Sequence, residues 1–358
     1  MRKLIFHVVL LLILPLFRLS AQNSQLVIYT WDEMIPQEIL DDFTLETGVE
    51  VVLKFFEFNE DMLAELEMNN GSGYDLIIAD DYIVDFIIAG GLAQSLDKRL
   101  LPNLKNVNPF YQHQFYDPQD EYTVPCGAGI QTIVYNPAGA PFDISGFSDF
   151  WNPALRKRLG ITANPRVING MVLKSMGRGY NETDPALIKA AGARLLQLAP
   201  NVGIMRDMDL DEHILNGDID VALMYTDQVF KSLIRNPDLK MVYPKEGIGF
   251  GIMPAFIPVN AANPRAAHWF LNAIMEPRRG ARCFEYMGYY CTFSASEPYI
   301  NLDYRPYLLL PTEDRNGRVV NTFGNFEVIL NLPGEAEAVH AEIWDAFIKA
   351  LENQRSVL

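Results

Sequence analysis

The chain is 358 residues long, 49% apolar and 21% charged, which excludes a disordered or fibrous protein and suggests about two domains of ~150 residues. Its formal net charge is −16, with 45 Asp+Glu against 29 Lys+Arg. A field of that sign repels nucleic acid and anionic lipid and favours cationic solutes, so no nucleic-acid partner is expected.

The N-terminus carries a short basic region, Arg2-Lys3, then a nearly continuous apolar run from Leu4 to Phe17, then Leu19-Ser20-Ala21. This pattern predicts a secretory signal peptide over 1–21, cut after Ala21. Its removal takes away Arg2, Lys3 and Arg18 and leaves the mature chain more acidic. No Cys follows the run, so no lipid anchor is expected there, and no later stretch approaches ~18 consecutive apolar residues.

Strand and helix patterns then alternate. Leu26 to Tyr29 reads as a buried strand. Pro36 opens a helix with Ile39, Leu40 and Phe43 on one face, and Gly48 ends it. Val49, Val51, Leu53 and Phe55 have strand spacing. Asn59 is expected to cap the next helix, with Met62, Leu63 and Leu66 inward. Leu76-Ile77-Ile78 is another buried strand, followed by a helix from Tyr82 to Ala89 and a Gly90-Gly91 stop. Tyr122 to Tyr135 reads as extended, interrupted at Pro125 and Gly127-Ala128-Gly129. Leu159 to Thr162 and Val221 to Met224 read as short strands, and Asp184-Pro185 starts a helix between them. Phe256 to Val259 is extended, and helices follow over Pro264 to Met275, Arg278 to Met287 and Glu335 to Leu351.

This alternation implies an α/β protein with parallel sheets covered on both faces. In such sheets ligands sit beyond the carboxyl ends of the strands. Three aromatic-plus-acid clusters fall at such ends: Trp31-Asp32-Glu33, Asp80-Asp81-Tyr82 and Tyr225-Thr226-Asp227. Each has a plain structural alternative. Asp80 and Asp81 suit helix capping, the tyrosines suit core packing with a satisfied hydroxyl, and Glu33 suits a solvated charge or a lobe–lobe contact. Asp75 is expected to bond backbone.

Enzymatic signatures are missing: there is no G-x-S-x-G, no H-E-x-x-H and no P-loop. The abundance of carboxylates leaves a paired-acid hydrolase open as an alternative. Cys126, Cys283 and Cys291 suit no common zinc site, and the five histidines show no metal spacing. An exported chain can oxidise a cysteine pair, and Cys283 with Cys291 is the nearest candidate, with helix geometry against it.

Several stretches in order, Tyr29 to Pro36 (YTWDEMIP), Phe43 to Gly48 (FTLETG), Tyr74 to Val84 (YDLIIADDYIV), Tyr243 to Glu246 (YPKE), Ile257 to Asn260 (IPVN) and Met287-Gly288-Tyr289, carry a resemblance. In them the chain resembles the periplasmic spermidine/putrescine-binding proteins of polyamine ABC importers. The resemblance implies a two-lobed periplasmic solute-binding fold with the ligand cleft between the lobes. Lobe one would comprise 22–129 plus 254–299, and lobe two 130–253 plus 300–358. It implies a monomer that is not an enzyme, has no cofactor and no metal, and takes a small cationic ligand, a polyamine, to an inner-membrane ABC permease. Alternatives are the same fold binding another small polar or cationic solute, or a diverged ligand sensor.

On the family's pattern the ligand-binding positions are Trp31, Glu33, Tyr82, Tyr225 (where the family has tryptophan), Tyr289, and Glu327 where a polar amide is expected. Aromatic faces attract ammonium and methylene groups, and carboxylates accept charge-assisted N–H bonds. Other family acids are absent: Asn164, Val167 and Met253 stand where acids would be. Asp32, Asp80 and Asp227, at strand ends near the expected cleft, are the candidates to compensate. Cys126-Gly127-Ala128-Gly129 replaces a bulkier stretch, which predicts a roomier pocket.

Overall fold

The computed structural model describes residues 25–309 and 326–355; the expected signal peptide lies outside them. Lobe one begins with β1 (Gln25–Thr30), α1 (Gln37–Thr47), β2 (Glu50–Phe55), α2 (Asn59–Met68), β3 (Leu76–Ile78) and α3 (Asp81–Ala89). The α1 stripe Ile39, Leu40 and Phe43 is buried, and Gly48 closes the helix at φ 72°, a left-handed conformation that glycine adopts without a Cβ clash. Parallel pairing joins β1 to both β2 and β3.

The thirteen-residue β4 (Thr123–Tyr135) carries the chain out of lobe one. It is followed by β5 (Leu159–Ile161), α4 (Pro165–Ser175), α5 (Pro185–Leu198), β6 (Val202–Met205), α6 (Leu210–Leu215), β7 (Val221–Tyr225), α7 (Thr226–Arg235) and β8 (Lys240–Val242). The chain returns along β9 (Ile248–Phe256), builds α8 (Pro264–Ile274), α9 (Pro277–Met287) and α10 (Arg305–Leu308), and ends with β10 (Phe326–Val328) and α11 (Gly334–Arg355). Among the described residues the strand order is β2-β1-β3-β9-β4-β7-β5-β6. The first half of β4 pairs with β9, and its second half, from Gln131 to Tyr135, pairs with β7. Two long antiparallel strands therefore connect two otherwise parallel half-sheets.

The parallel-sheet expectation holds for β1 with β2 and β3 and for β5 with β6 and β7. It fails for β4 and β9, the crossing segments, which pair antiparallel with each other and with β7, β8 and β3; only β10 pairs parallel with β9. The interruption expected at Pro125 and the glycines appears as a register shift between Pro125 and Ala128. Phe55 at the end of β2, the edge strand, is 51% exposed. Asn59 does not cap α2: it is the first helical residue, and Phe58 occupies the cap position. Ile300 and Leu308 are buried with Phe270, Phe284 and Phe293 of lobe one's core, because the chain after α9 folds back over that lobe.

Each lobe has its own core. In lobe one, Leu26, Ile28, Leu76, Phe43 and Phe270 pack on one side of the sheet. On the other side Met62, Leu66, Ile77, Ile83 and Ile87 pack under α2 and α3. In lobe two, Ile133, Leu159, Ile161, Leu195 and Phe347 form the main core, with Met224, Leu233 and Ile214 on the other side. Full burial of one such aliphatic side chain contributes about 1.5–3 kcal/mol. None of the described helices is long and apolar enough to cross a membrane.

Candidate functional site

The ends of β1 and β3 bring Trp31, Asp32, Glu33, Asp80 and Tyr82 to one rim of lobe one. The end of β7 brings Tyr225 and Asp227 to lobe two. Their geometry follows from the crossing strands, since Tyr225 is the register partner of Gln131 on β4, and Thr226 bonds Ile130 on that strand through both its hydroxyl proton (3.0 Å) and its oxygen (2.9 Å).

Trp31 is half-buried, with its ring 4.9 Å from that of Phe56. Asp32 is exposed and its Oδ1 accepts the Glu33 backbone N–H at 2.8 Å, an arrangement that holds Glu33 at φ 58°. Asp80 sits at the cap position of α3 but makes no capping bond; instead Asn59 Nδ2 donates to its Oδ2 at 2.8 Å. Burial pushes the Asp80 carboxyl up to about 6, with Asn59 opposing and Glu60 adding to the shift. Asp81 is occupied structurally: it is 3% exposed and accepts the N–H of Ile252 on β9 at 3.0 Å and that of Tyr82 at 2.8 Å. Tyr82 donates its hydroxyl to Glu60 Oε1 at 3.1 Å, and its carbonyl accepts from Asn331 Nδ2 at 2.9 Å. Asn331 precedes α11 of lobe two, so this bond ties the lobes together.

Across the cleft, Tyr225 donates to Asp207 Oδ1 at 3.3 Å. Burial raises the Tyr225 phenol, and Asp207 and Asp80 add to the shift, which places acids of both lobes within electrostatic reach of one ring. Tyr289 behaves alike: burial first, then Asp227, Tyr225 and Asp80, hold its proton on. Burial raises the Asp227 carboxyl while Lys231 opposes. Asp80, Tyr225, Asp227 and Tyr289 thus come from both lobes to one acidic, aromatic region.

Glu327 is engaged differently. Its carboxylate accepts from Lys174 Nζ at 3.0 Å, Tyr180 N at 3.0 Å and Asn181 Nδ2 at 3.0 Å. Burial works against its charge, but these donors outweigh it and hold the carboxyl below its ordinary range. Four oxygen lone-pair positions are thereby largely taken by protein partners. Glu327 ties the segment after α4 to β10, and its charge is answered within lobe two.

Sequence reasoning missed Asp207 and Lys231. Asp207 stands after β6 in a run of polar residues with no aromatic beside it, and only the fold sets its carboxylate against Thr162 and Tyr225. Lys231 lies one helical turn into α7, where a lone lysine reads as a solvated charge. Its Nζ is 2.8 Å from Glu33 Oε2 and 3.5 Å from Asp227 Oδ2, which is the lobe–lobe contact left open for Glu33.

The positions without family acids have clear occupants. Asn164 caps α4 by accepting from Val167 N at 3.1 Å, and Val167 is 3% exposed in lobe two's core. Met253 is buried, and a Cβ added at Gly127 would lie 2.6 Å from its Cε. A Cβ at Gly129 would lie 2.9 Å from Cε1 of Tyr289. The room expected over Cys126 to Gly129 is thus filled by Met253 and Tyr289. Asp75 bonds backbone as expected, accepting Val27 N at 2.9 Å and Asn263 N at 2.6 Å. All three cysteines are free and buried, so the Cys283–Cys291 pairing is not made. No group of three or more His, Cys, Asp or Glu side chains among the described residues is arranged to hold a metal. A separate cavity of about 420 Å³ on α9 is lined by Arg278, Arg282 and Tyr299 and by no cleft residue. Its arginines are committed, Arg282 to Asp42 at 2.8 Å and Arg278 over the Tyr299 ring at 4.7 Å.

Comparison with known proteins places this geometry. The family model for bacterial extracellular solute-binding proteins matches residues 38–299. The spermidine/putrescine-binding periplasmic protein of Escherichia coli (strain K12) is 31% identical over 271 residues, covering 75% of this chain and 78% of that one. The putrescine-binding periplasmic protein SpuD of Pseudomonas aeruginosa is 30% identical over 277 residues, covering 72% and 75%. Among solved structures, the substrate-binding protein PotD of Streptococcus pneumoniae superposes with a TM-score of 0.79 at 23% identity, covering 91% of this chain and 99% of that one, which speaks to the fold. Two lobes, crossing strands and a shared rim of acids and aromatics agree with that match: the chain belongs to the bacterial extracellular solute-binding protein family, whose members bind solutes and are not enzymes.

Proposed function

We propose that this chain is the extracytoplasmic substrate-binding component of an ABC importer and that its ligand is a polyamine. The observation that carries the reading is the meeting of acids and tyrosines from both lobes: Lys231 of lobe two bonds Glu33 of lobe one beside Asp227, Asp207 bonds Tyr225, and Asp80 and Tyr82 share Asn59 on the rim of lobe one. A flexible alkyl cation needs this mixture: carboxylates for its N–H groups and ring faces for its methylenes. Relatives named for spermidine and putrescine binding support it.

Asp80 on one side and Asp207 on the other accept the ammonium groups, beside Asp227, whose charge is answered by Lys231 at 3.5 Å. Trp31, Tyr225 and Tyr289 line the chain between them, and Tyr82 and Asp32 complete the rim of lobe one. Glu33 acts at the lobe contact. A ligand touching both lobes favours the closed arrangement in proportion to the contacts it makes only there. Export through the 1–21 segment would deliver the chain to the periplasm, where it acts as a monomer and hands its ligand to an inner-membrane permease.

A second reading, the same cleft binding another small cationic or polar solute, draws on one observation: Asn164 and Met253 contribute no charge. Calorimetric titration of the mature chain with putrescine, spermidine, amino acids and sugars tests both. Saturable binding of an amine that weakens at least tenfold in Asp207→Asn or Trp31→Ala supports the polyamine reading. Binding of an uncharged sugar or an amino acid with no response to either amine overturns it.

A further inference from the structure

A lysine side chain ends in the same alkylammonium group as a polyamine, and one such group already stands in the cleft. Lys231 Nζ bonds Glu33 of lobe one at 2.8 Å and lies 3.5 Å from Asp227 of lobe two. The lysine side chain is 36% exposed and Asp227 19%, so this ammonium is partly withdrawn from water and answered by protein acids. Asp80 and Asp207 differ: among the described residues, neither has a Lys or Arg partner within ion-pair distance, and both accept only neutral donors, Asn59 for Asp80 and Thr162 and Tyr225 for Asp207. Two uncompensated carboxylates thus face the rings, one from each lobe, while the third acid of the cleft already has its cation.

We infer that Lys231 is a specificity-determining residue: a resident cation that takes the place of one ligand ammonium and sets the preferred ligand at two positive charges. The inference rests on the polyamine reading. A diamine places one ammonium at Asp80 and one at Asp207. A triamine brings a further charge into a cleft whose remaining acid is already paired, and meets the like charge of Lys231.

The test is calorimetric titration of putrescine and spermidine into the wild-type chain and into Lys231→Met, Lys231→Gln and Lys231→Arg, with an unliganded melting curve for each variant. The wild type is expected to bind putrescine at least tenfold more tightly than spermidine. Both neutral variants are expected to move the spermidine-to-putrescine affinity ratio at least tenfold towards spermidine, and Lys231→Arg to restore the wild-type ratio. Equal losses for both amines in the neutral variants would overturn the inference and make Lys231 a clasp between the lobes. An unchanged ratio would overturn it too, leaving the polyamine reading intact. A wild-type chain that binds neither amine would remove both, a result seen before any variant is compared.

Discussion

Asp80 joins sequence, position and chemistry in one residue. It ends the β3 segment and faces the cleft, and burial lifts its carboxyl from 3.8 to about 6. In the unliganded protein the folded state holds this proton to higher pH than the unfolded state does. The stability linked to it is therefore fully present below about 4 and is lost as pH rises through about 6. Cation binding runs the other way, because it needs the ionised carboxylate. Affinity for putrescine is expected to be level above pH 7 and to fall about tenfold per unit below 6. Asp80→Asn should lower the plateau and flatten the slope, as titration calorimetry at several pH values would show; an unaltered slope would remove Asp80 from the site. Asp80 was legible in the sequence as an acid at a strand end. Asp81, identical in type and adjacent, was left out of the candidates, and the fold makes it structural by pairing it with the Ile252 N–H. Asp81→Ala leaves that donor unpaired in the interior and is expected to cost about 1–3 kcal/mol in denaturant unfolding, with little effect on affinity among molecules that remain folded.

At the scale of elements, β4 does two jobs. Its first half belongs to lobe one and its second half to lobe two, and its glycines leave space that other elements fill. Tyr289, just beyond α9, lies against Gly129, and Met253 of β9 lies over Gly127. Gly129→Ala sets a Cβ 2.9 Å from the Tyr289 ring and is expected to displace it, weakening ligand binding several-fold with a smaller loss of melting temperature. Unchanged affinity would show that Tyr289 does not contact ligand. The glycines were visible in the sequence, and the absence of side chains there read as empty room. What occupied the room came from residues about 125 and 160 positions away along the chain (Met253 and Tyr289), a long-range pairing that local pattern does not encode.

For the whole molecule, the two lobes have separate cores joined by β4 and β9, with Lys231–Glu33 and Asn331–Tyr82 as polar ties across the cleft. Stability is held by packing without any disulfide among the described residues. Cys126, Cys283 and Cys291 are buried in lobe one's core, and burial pushes the Cys283 thiol up to about 12. Such thiols are poor nucleophiles at neutral pH. An aromatic disulfide reagent is expected to label none of the three in the native protein at pH 8 and all three in denaturant, and reductant is expected to leave the melting temperature unchanged. Rapid native labelling would mean that lobe one opens far more readily than its packing implies.

The sequence by itself determined the alternating α/β class, most strand and helix positions, and the three aromatic-plus-acid clusters at strand ends. Periodicity and strand-end chemistry are local, and they survive in a one-dimensional reading. Only the tertiary structure decided which acids are free. Asp81 and Glu327 are taken up by backbone and lysine partners, Asp227 is matched by Lys231, and Asp207 joins Tyr225 from a segment without a recognisable motif. The physical reason is that a carboxylate's availability depends on the donors within a few ångströms of it, and in this chain those donors arrive from other elements, through crossing strands that bring distant segments to one cleft.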